Sequence, residues 1–319
     1  MIRILITGGA GFVGSCIAEK LIADKGNFVV ILDDLSTGSV GKLPTAPKDS
    51  WRFVKADVNI YSQIAEVMLG SKFDYVFHFA ALVGVKRTQN NPVKVLSDID
   101  GIKNVLNLCK STGVKRVFFS SSSEVYGEPV ELPQHEETTP LNSRVPYAVV
   151  KNIGESFLRS YHQEYGLEYT IFRFFNTYGP KQSKDFVMSK FISAALKNED
   201  IVLYGAGTQT RTFCYVDDNI DTCLLAMKND LIVNDVMNVG GDKEVKIIDL
   251  AKLIIELTGS SSKIIFAPAL KEGDMVRRCP DISKMKTILK RERLPLEEGI
   301  KKLLSSELFK QLIFSESAN

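Results

Sequence analysis

The chain has 319 residues, 45% hydrophobic and 24% charged, with a formal net charge of +2. That is enough apolar material for one large globular domain, or for a domain with a smaller lobe. The evenly spread charge argues against nucleic acid or a membrane surface as a partner. Five scattered cysteines without a CxxC pair, and three histidines, argue against a zinc site, so no metal is expected and the thiols read as reduced.

The first element is a strand over 2–7, followed by a helix over 12–24. MIRILITGG breaks into glycine too soon to be a signal-peptide core, and no apolar run approaches the ~20 residues of a membrane span. A cytoplasmic protein is the expectation. Strands follow at 28–33, 52–58 and 75–82, then a helix over about 92–111, a strand over 116–121, a helix over 146–165 and a strand over 169–175. After Gly179 and Pro180 the elements shorten: helix 186–197, strand 201–205, helix 217–228, strand 236–241, helix 247–258, strand 263–268 and charged C-terminal helices. The final FSESAN, 314–319, reads as frayed. Near-continuous apolar strands alternating with helices predict an α/β fold, a parallel sheet covered on both faces. The division expected is 1–178 for a cofactor domain, with some later segments returning to it, and 179–319 for a smaller lobe.

The turn after the first strand, TGGAGFVG, carries Gly8, Gly11 and Gly14. Glycines at this spacing permit a tight turn, close approach of backbone to a pyrophosphate and close packing of the helix on the sheet, with the helix N-terminus facing the phosphates. Asp33 lies at the end of the second strand, where an acid hydrogen-bonds a ribose 2′-hydroxyl and repels a 2′-phosphate, which favours NAD over NADP. Asp57 ends the third strand and reads equally as a contact to the adenine edge or as a turn carboxylate. Phe12, Val13, Val58 and Ala80 complete the expected cofactor wall.

YAVVK stacks Tyr147 and Lys151 at i, i+4 on one helix face. A lysine near a phenol favours the phenolate, which can take a proton from a sugar hydroxyl while hydride leaves the same carbon. Ser122, in SSSSEVYG (120–127) at the end of the fifth strand, is available to share that proton relay. His78, inside an apolar strand, reads as structural.

In these segments the chain resembles the extended short-chain dehydrogenase/reductases of the nucleotide-sugar epimerase/dehydratase group. HFAAL (78–82), RFFNTYGP (173–180), TQTRTFCYVDD (208–218) and RRCPDISK (277–284) are similar to family motifs and come in family order. The resemblance implies a modified Rossmann doubly wound sheet holding NAD, with a C-terminal lobe binding a nucleoside-diphosphate sugar. It implies Tyr147 as base, Lys151 as its partner and a nicotinamide-ribose ligand, and Ser122 as second hydroxyl. It further implies Asn176, Arg211 and one of Arg277 or Arg278 on the diphosphate. A homodimer through helices 92–111 and 146–165 is a family-level expectation. The chain departs from the pattern at Asp98, where the family commonly has asparagine.

Glu124 sorts the possible reactions. Epimerases resembling this chain have a small or hydroxyl residue there; 4,6-dehydratases and UDP-glucuronate decarboxylases have glutamate. Once C4 is a ketone the C5 proton is acidic, and a carboxylate can remove it. Ser123 stands where some dehydratases have an acid, while other dehydratases and the decarboxylases have serine. YAVVK departs from the decarboxylase pattern YDEGK. The order expected is 4,6-dehydratase, 4-epimerase, decarboxylase; a non-catalytic NAD-binding regulator is the reading from another class.

Overall fold

The computed structural model describes residues 1–268 and 276–314. Six strands open the central sheet: β1 (Ile2–Thr7), β2 (Asn27–Asp33), β3 (Trp51–Lys55), β4 (Tyr75–His78), β5 (Arg116–Ser122) and β6 (Glu168–Phe174). A seventh, Asp235–Val239, comes back from late in the chain to pair with β6. From that strand the order runs β6, β5, β4, β1, β2, β3, and every pairing is parallel.

Alternate strand residues feed two cores. Ile4, Ile6, Val29, Ile31, Phe77 and Phe118 pack on one face. Their neighbours Leu5, Val30, Leu32, Val76, Val117 and Phe119 pack on the other. Both faces being apolar is why these strands read as continuous hydrophobic runs and not as alternating ones. The helices divide accordingly. α1 (Phe12–Ile22) contributes Ile17, Ala18 and Leu21 to the first core. α2 (Tyr61–Leu69), α3 (Val85–Asn90), α4 (Pro92–Leu96), α5 (Asp98–Thr112) and α6 (Pro146–Tyr165) follow in order, and α2, α5 and α6 supply residues to the second core.

The C-terminal elements are smaller. Ile201–Tyr204 pairs with Ile264–Ala267 in parallel, Thr210–Thr212 with Glu244–Lys246 antiparallel, and Thr177–Tyr178 with Cys214–Tyr215 in parallel. Helices Val187–Leu196, Val216–Lys228, Ile247–Thr258, Ser283–Leu289, Leu296–Ser305 and Glu307–Phe314 surround them. No helix among the described residues is long and apolar enough to cross a membrane.

Several boundaries depart from expectation. The third and fourth strands stop at Lys55 and His78, because the chain beyond each bends out to wall the cleft described below. The helix expected over 92–111 is interrupted at Ser97. α2 has no counterpart in the sequence reading: YSQIAEVML is short, and its buried face is only Ile64, Ala65, Val67 and Met68. α6 matches the expected 146–165. Pro146 at its first turn and Gly166 in the left-handed region just past its end punctuate it clearly. Of the FSESAN tail, Phe314 ends the last helix and 315–319 lie outside the described residues.

Candidate active site

A cleft of about 570 Å³ opens at the C-terminal ends of the central strands. There the strand order reverses between β1 and β4, the place where open parallel sheets bind ligands.

At one end the backbone makes the site. Gly8 has φ +69°, and a Cβ on it would lie 2.5 Å from the Ala80 nitrogen; a Cβ on Gly14 would lie 2.4 Å from the Gly8 oxygen. Only glycine allows the turn to lie this close to the next strand's exit and to the helix. α1 begins without a capping side chain or an acid in its first turn, so its leading N–H groups suit a pyrophosphate. Asp33 is bound into the same turn: Oδ2 accepts from Ala10 N at 2.9 Å and Oδ1 from Leu35 N at 2.9 Å. Burial raises its pKa above the usual carboxylate value, against those two N–H donors. Each oxygen keeps a lone pair for a ribose hydroxyl. Gly11, Phe12, Val13, Asp57, Val58 and Ala80 line the same stretch. Asp57 serves as the turn carboxylate, its Oδ1 accepting from Asn59 N at 2.8 Å, and it also lines the cleft. These residues fit a dinucleotide.

At the other end side chains make the site. Ser122, Ser123, Glu124, Tyr147, Asn176 and Arg278 face the cleft together. Ser122 caps a single 3-10 turn over Ser123–Tyr126, accepting from Glu124 N at 3.2 Å, and lines the cleft with Tyr147. Arg278 is buried, with Nη2 3.8 Å from Glu124 Oε1 and Nη1 3.4 Å from Ser123 Oγ. Asn176 donates through Nδ2 to Thr212 O at 2.9 Å.

Lys151 lies buried behind Tyr147, its Nζ 5.7 Å from that ring's centroid and 5.0 Å from that of Phe119. Burial lowers its pKa to about 8, and the Asp98 carboxylate opposes that fall. The phenol does not follow the sequence expectation. Burial, then the Glu124 charge, push the Tyr147 pKa above its usual value, and the nearby Ser122 hydroxyl and the Arg278 charge only partly counter them. Lys151 is not among the main influences on the phenol, so the lowering expected from it does not decide the balance.

Of the arginines considered for the diphosphate, Arg278 lines the cleft and Arg211 and Arg277 do not. Arg211 does not line the cleft; its Nη1 donates to Thr210 O at 2.8 Å within its own strand. Arg277 is exposed and donates through Nε to Glu244 Oε2 at 3.0 Å. Although adjacent in sequence, one arginine enters the cleft and the other leaves it. His78 is neutral and structural: its Nδ1 shares a 2.8 Å hydrogen bond with Thr7 Oγ1, and burial lowers its pKa to about 3.

Three charged residues of the cleft had little signal in the sequence. Lys42 is buried beside Asp33. Arg87 reaches from α3 to within 3.7 Å of Asp185. Asp98 was visible only as a departure from pattern; its Oδ2 accepts from Leu82 N at 2.7 Å, and burial raises its pKa.

Residues 4–240 match the family model described as the NAD dependent epimerase/dehydratase family. The chain belongs to this family. It is 35% identical over 308 residues to a putative UDP-glucose 4-epimerase of Methanocaldococcus jannaschii, covering 95% of this chain and 97% of that protein. It is 36% identical to UDP-glucuronic acid decarboxylase 3 of Arabidopsis thaliana, covering 93% of this chain and 86% of that protein. Among solved structures, a UDP-glucose 4-epimerase from Thermotoga maritima with UDP-glucose superposes with TM-score 0.90 at 33% identity, over 97% of this chain and 99% of that one. A dTDP-glucose 4,6-dehydratase from Streptomyces venezuelae, solved with NAD, has TM-score 0.88 at 27% identity, over 97% of each chain. The protein is thus an NAD-dependent enzyme of nucleotide-sugar chemistry.

Proposed function

We propose that this enzyme oxidises a nucleoside-diphosphate hexuronate at C4 and then releases C6 as carbon dioxide. The observation that carries the reading is the pairing of Glu124 with Arg278 inside the cleft. A guanidinium holds a carboxylate well and does not give up a proton. Beside Glu124 it suits a sugar with a carboxylate at C6 better than it suits loss of a C6 hydroxyl, which needs an acid. Relatives that are UDP-glucuronic acid decarboxylases, 36% identical in one case, support the same choice.

Bound NAD supplies a hydride acceptor, and later a donor, at C4. Gly8, Gly11, Gly14 and Asp33 would hold its phosphates and ribose, and Lys151 its nicotinamide side. Tyr147, with Ser122 in the same cleft, takes the C4 hydroxyl proton. The 4-ketone makes the uronate a β-keto acid, so the C5–C6 bond breaks, carbon dioxide leaves and the electron pair passes into the C4–C5 enolate. Glu124 takes a proton from solvent and passes it to C5 of the enolate, and Tyr147 returns its proton to the C4 oxygen when C4 is reduced. Asn176 and Arg278 contact the nucleotide sugar, and Gln182, Phe186 and Phe213 from the C-terminal part of the chain also line the cleft.

The test is proton NMR in heavy water with UDP-glucuronate beside a panel of neutral nucleotide hexoses. Loss of the carboxylate with deuterium at C5 is the expected result. A new 6-methyl group would make the enzyme the 4,6-dehydratase that Glu124 by itself suggests. C4 inversion without C5 exchange would make it a 4-epimerase, the reading favoured by YAVVK and by the epimerase relative of nearly equal length, and would remove Glu124 from the chemistry.

A further inference from the structure

Glu124 and Arg278 are far apart in the chain, yet one buried side-chain network holds the segments that carry them. Its hub is Arg173 in β6, 1% exposed, paired with Glu155 in α6, 0% exposed. Arg173 Nε and Nη2 donate to the two Glu155 oxygens at 2.9 and 2.7 Å. Ser121, next to Ser122, donates to Glu155 Oε1 at 2.6 Å. On the far side of the turn, Arg173 Nη1 donates to the Tyr126 hydroxyl at 2.8 Å. The ion pair therefore grips the chain immediately before Ser122 and two residues after Glu124.

From Tyr126 the network reaches the arginine. The Tyr126 hydroxyl donates to Asn238 Oδ1 at 2.8 Å, and Asn238 Nδ2 donates to Gln134 O at 2.9 Å and Asp281 O at 3.1 Å. Gln134 N donates to Cys279 O at 2.7 Å, and Asp281 N to Gln134 O at 2.9 Å. Cys279 follows Arg278 directly. Buried charge-assisted bonds with their partners in place make a stiff scaffold, and the arginine fork fixes direction as well as distance.

We propose that Arg173, Glu155 and Tyr126 are positioning residues that set the 3.8 Å separation of Glu124 from Arg278, and through it govern the C5 step apart from C4 oxidation. The kinetic half of this proposal rests on the reading that Glu124 acts at C5. A shift of about 1 Å in a reacting group costs on the order of 100-fold in rate.

Tyr126→Phe tests it, because it removes one hydroxyl and leaves the ring. The crystal structure of the variant should show the Glu124 to Arg278 separation changed by about 1 Å. In single turnovers the C5 step should slow about 10- to 100-fold while C4 oxidation holds, so absorbance of reduced cofactor at 340 nm builds up where the parent enzyme shows little. A separation that does not change, or two steps that fall together, overturns the proposal. The structure reads the separation whatever the product is. A parent enzyme without C5 chemistry therefore sinks the decarboxylation reading on its own, leaving the geometric half to be judged separately. Arg173→Gln combined with Glu155→Gln removes both buried charges at once. If that double variant folds and keeps the parent partition between steps, the network has no positioning role.

Discussion

The two ends of the cleft are built in opposite ways. The β1–α1 turn is a continuous piece of chain whose backbone shapes the site, with Gly8 against Ala80 and Gly14 against Gly8. The other end is assembled from separate segments: Ser122–Glu124, Tyr147, Asn176 and Arg278. A local site tolerates little change in its own residues but depends on few distant ones. An assembled site is exposed to changes in positions that touch no ligand, because buried hydrogen bonds carry its geometry.

The largest expected effect sharpens this contrast. Tyr147→Phe should lower kcat by roughly 10²- to 10⁴-fold with NAD still bound, since it removes the proton acceptor and leaves the glycine turn intact. Cofactor content and stopped-flow absorbance check it; an active variant would remove Tyr147 from the chemistry. Gly8→Ala should do the reverse. A Cβ 2.5 Å from Ala80 N at φ +69° should cost on the order of 2 to 4 kcal/mol of stability and most of the NAD affinity. Calorimetry and cofactor titration measure both; a variant with unchanged NAD affinity would show that the close approach is not what shapes the site.

The third prediction concerns pH. The folded pKa of Lys151 is about 8, against 10.5 for the free side chain. Activity that needs its charge should fall as pH rises through about 8. Stability should move the other way. Between these two pKa values the unfolded state holds more protons, so the lysine's burial penalty is full below about 8 and fades toward 10.5, a change on the order of 3 kcal/mol. Lys151→Met, compared with the parent by denaturant titration across this range, isolates that slope, because other buried groups are common to both proteins. A difference that does not vary with pH would contradict the burial described here.

The smallest effect concerns the neighbouring arginines. Arg277→Ala breaks an exposed pair with Glu244 and should leave the KM for the nucleotide sugar nearly unchanged, whereas Arg278→Ala should raise it or lower kcat. Equal losses from the two variants would erase the distinction the fold draws between them.

Much of this protein is determined locally. The alternation of strands and helices, the glycine turn with Asp33, and the Tyr147–Lys151 spacing are legible because each depends on residues close in sequence. Local punctuation by Pro146 and Gly166 likewise set the bounds of α6. Family motifs then pointed to NAD-dependent nucleotide-sugar chemistry, the level at which the family match agrees. Tertiary structure decided what depends on distant partners. Apolar residues 79–82 read as strand, but they leave the sheet to wall the cleft. Of two adjacent arginines, packing turned Arg278 inward and Arg277 out to Glu244. Burial and Glu124 raised the Tyr147 pKa where Lys151 alone was expected to lower it. Arg173 opens the RFFNTYGP motif, but neither it nor Glu155 signals their pairing locally, because its meaning lies in segments brought together from residues 121 to 281. Periodicity and spacing report what a residue's neighbours in sequence impose; desolvation and charge report the neighbours that only the fold supplies.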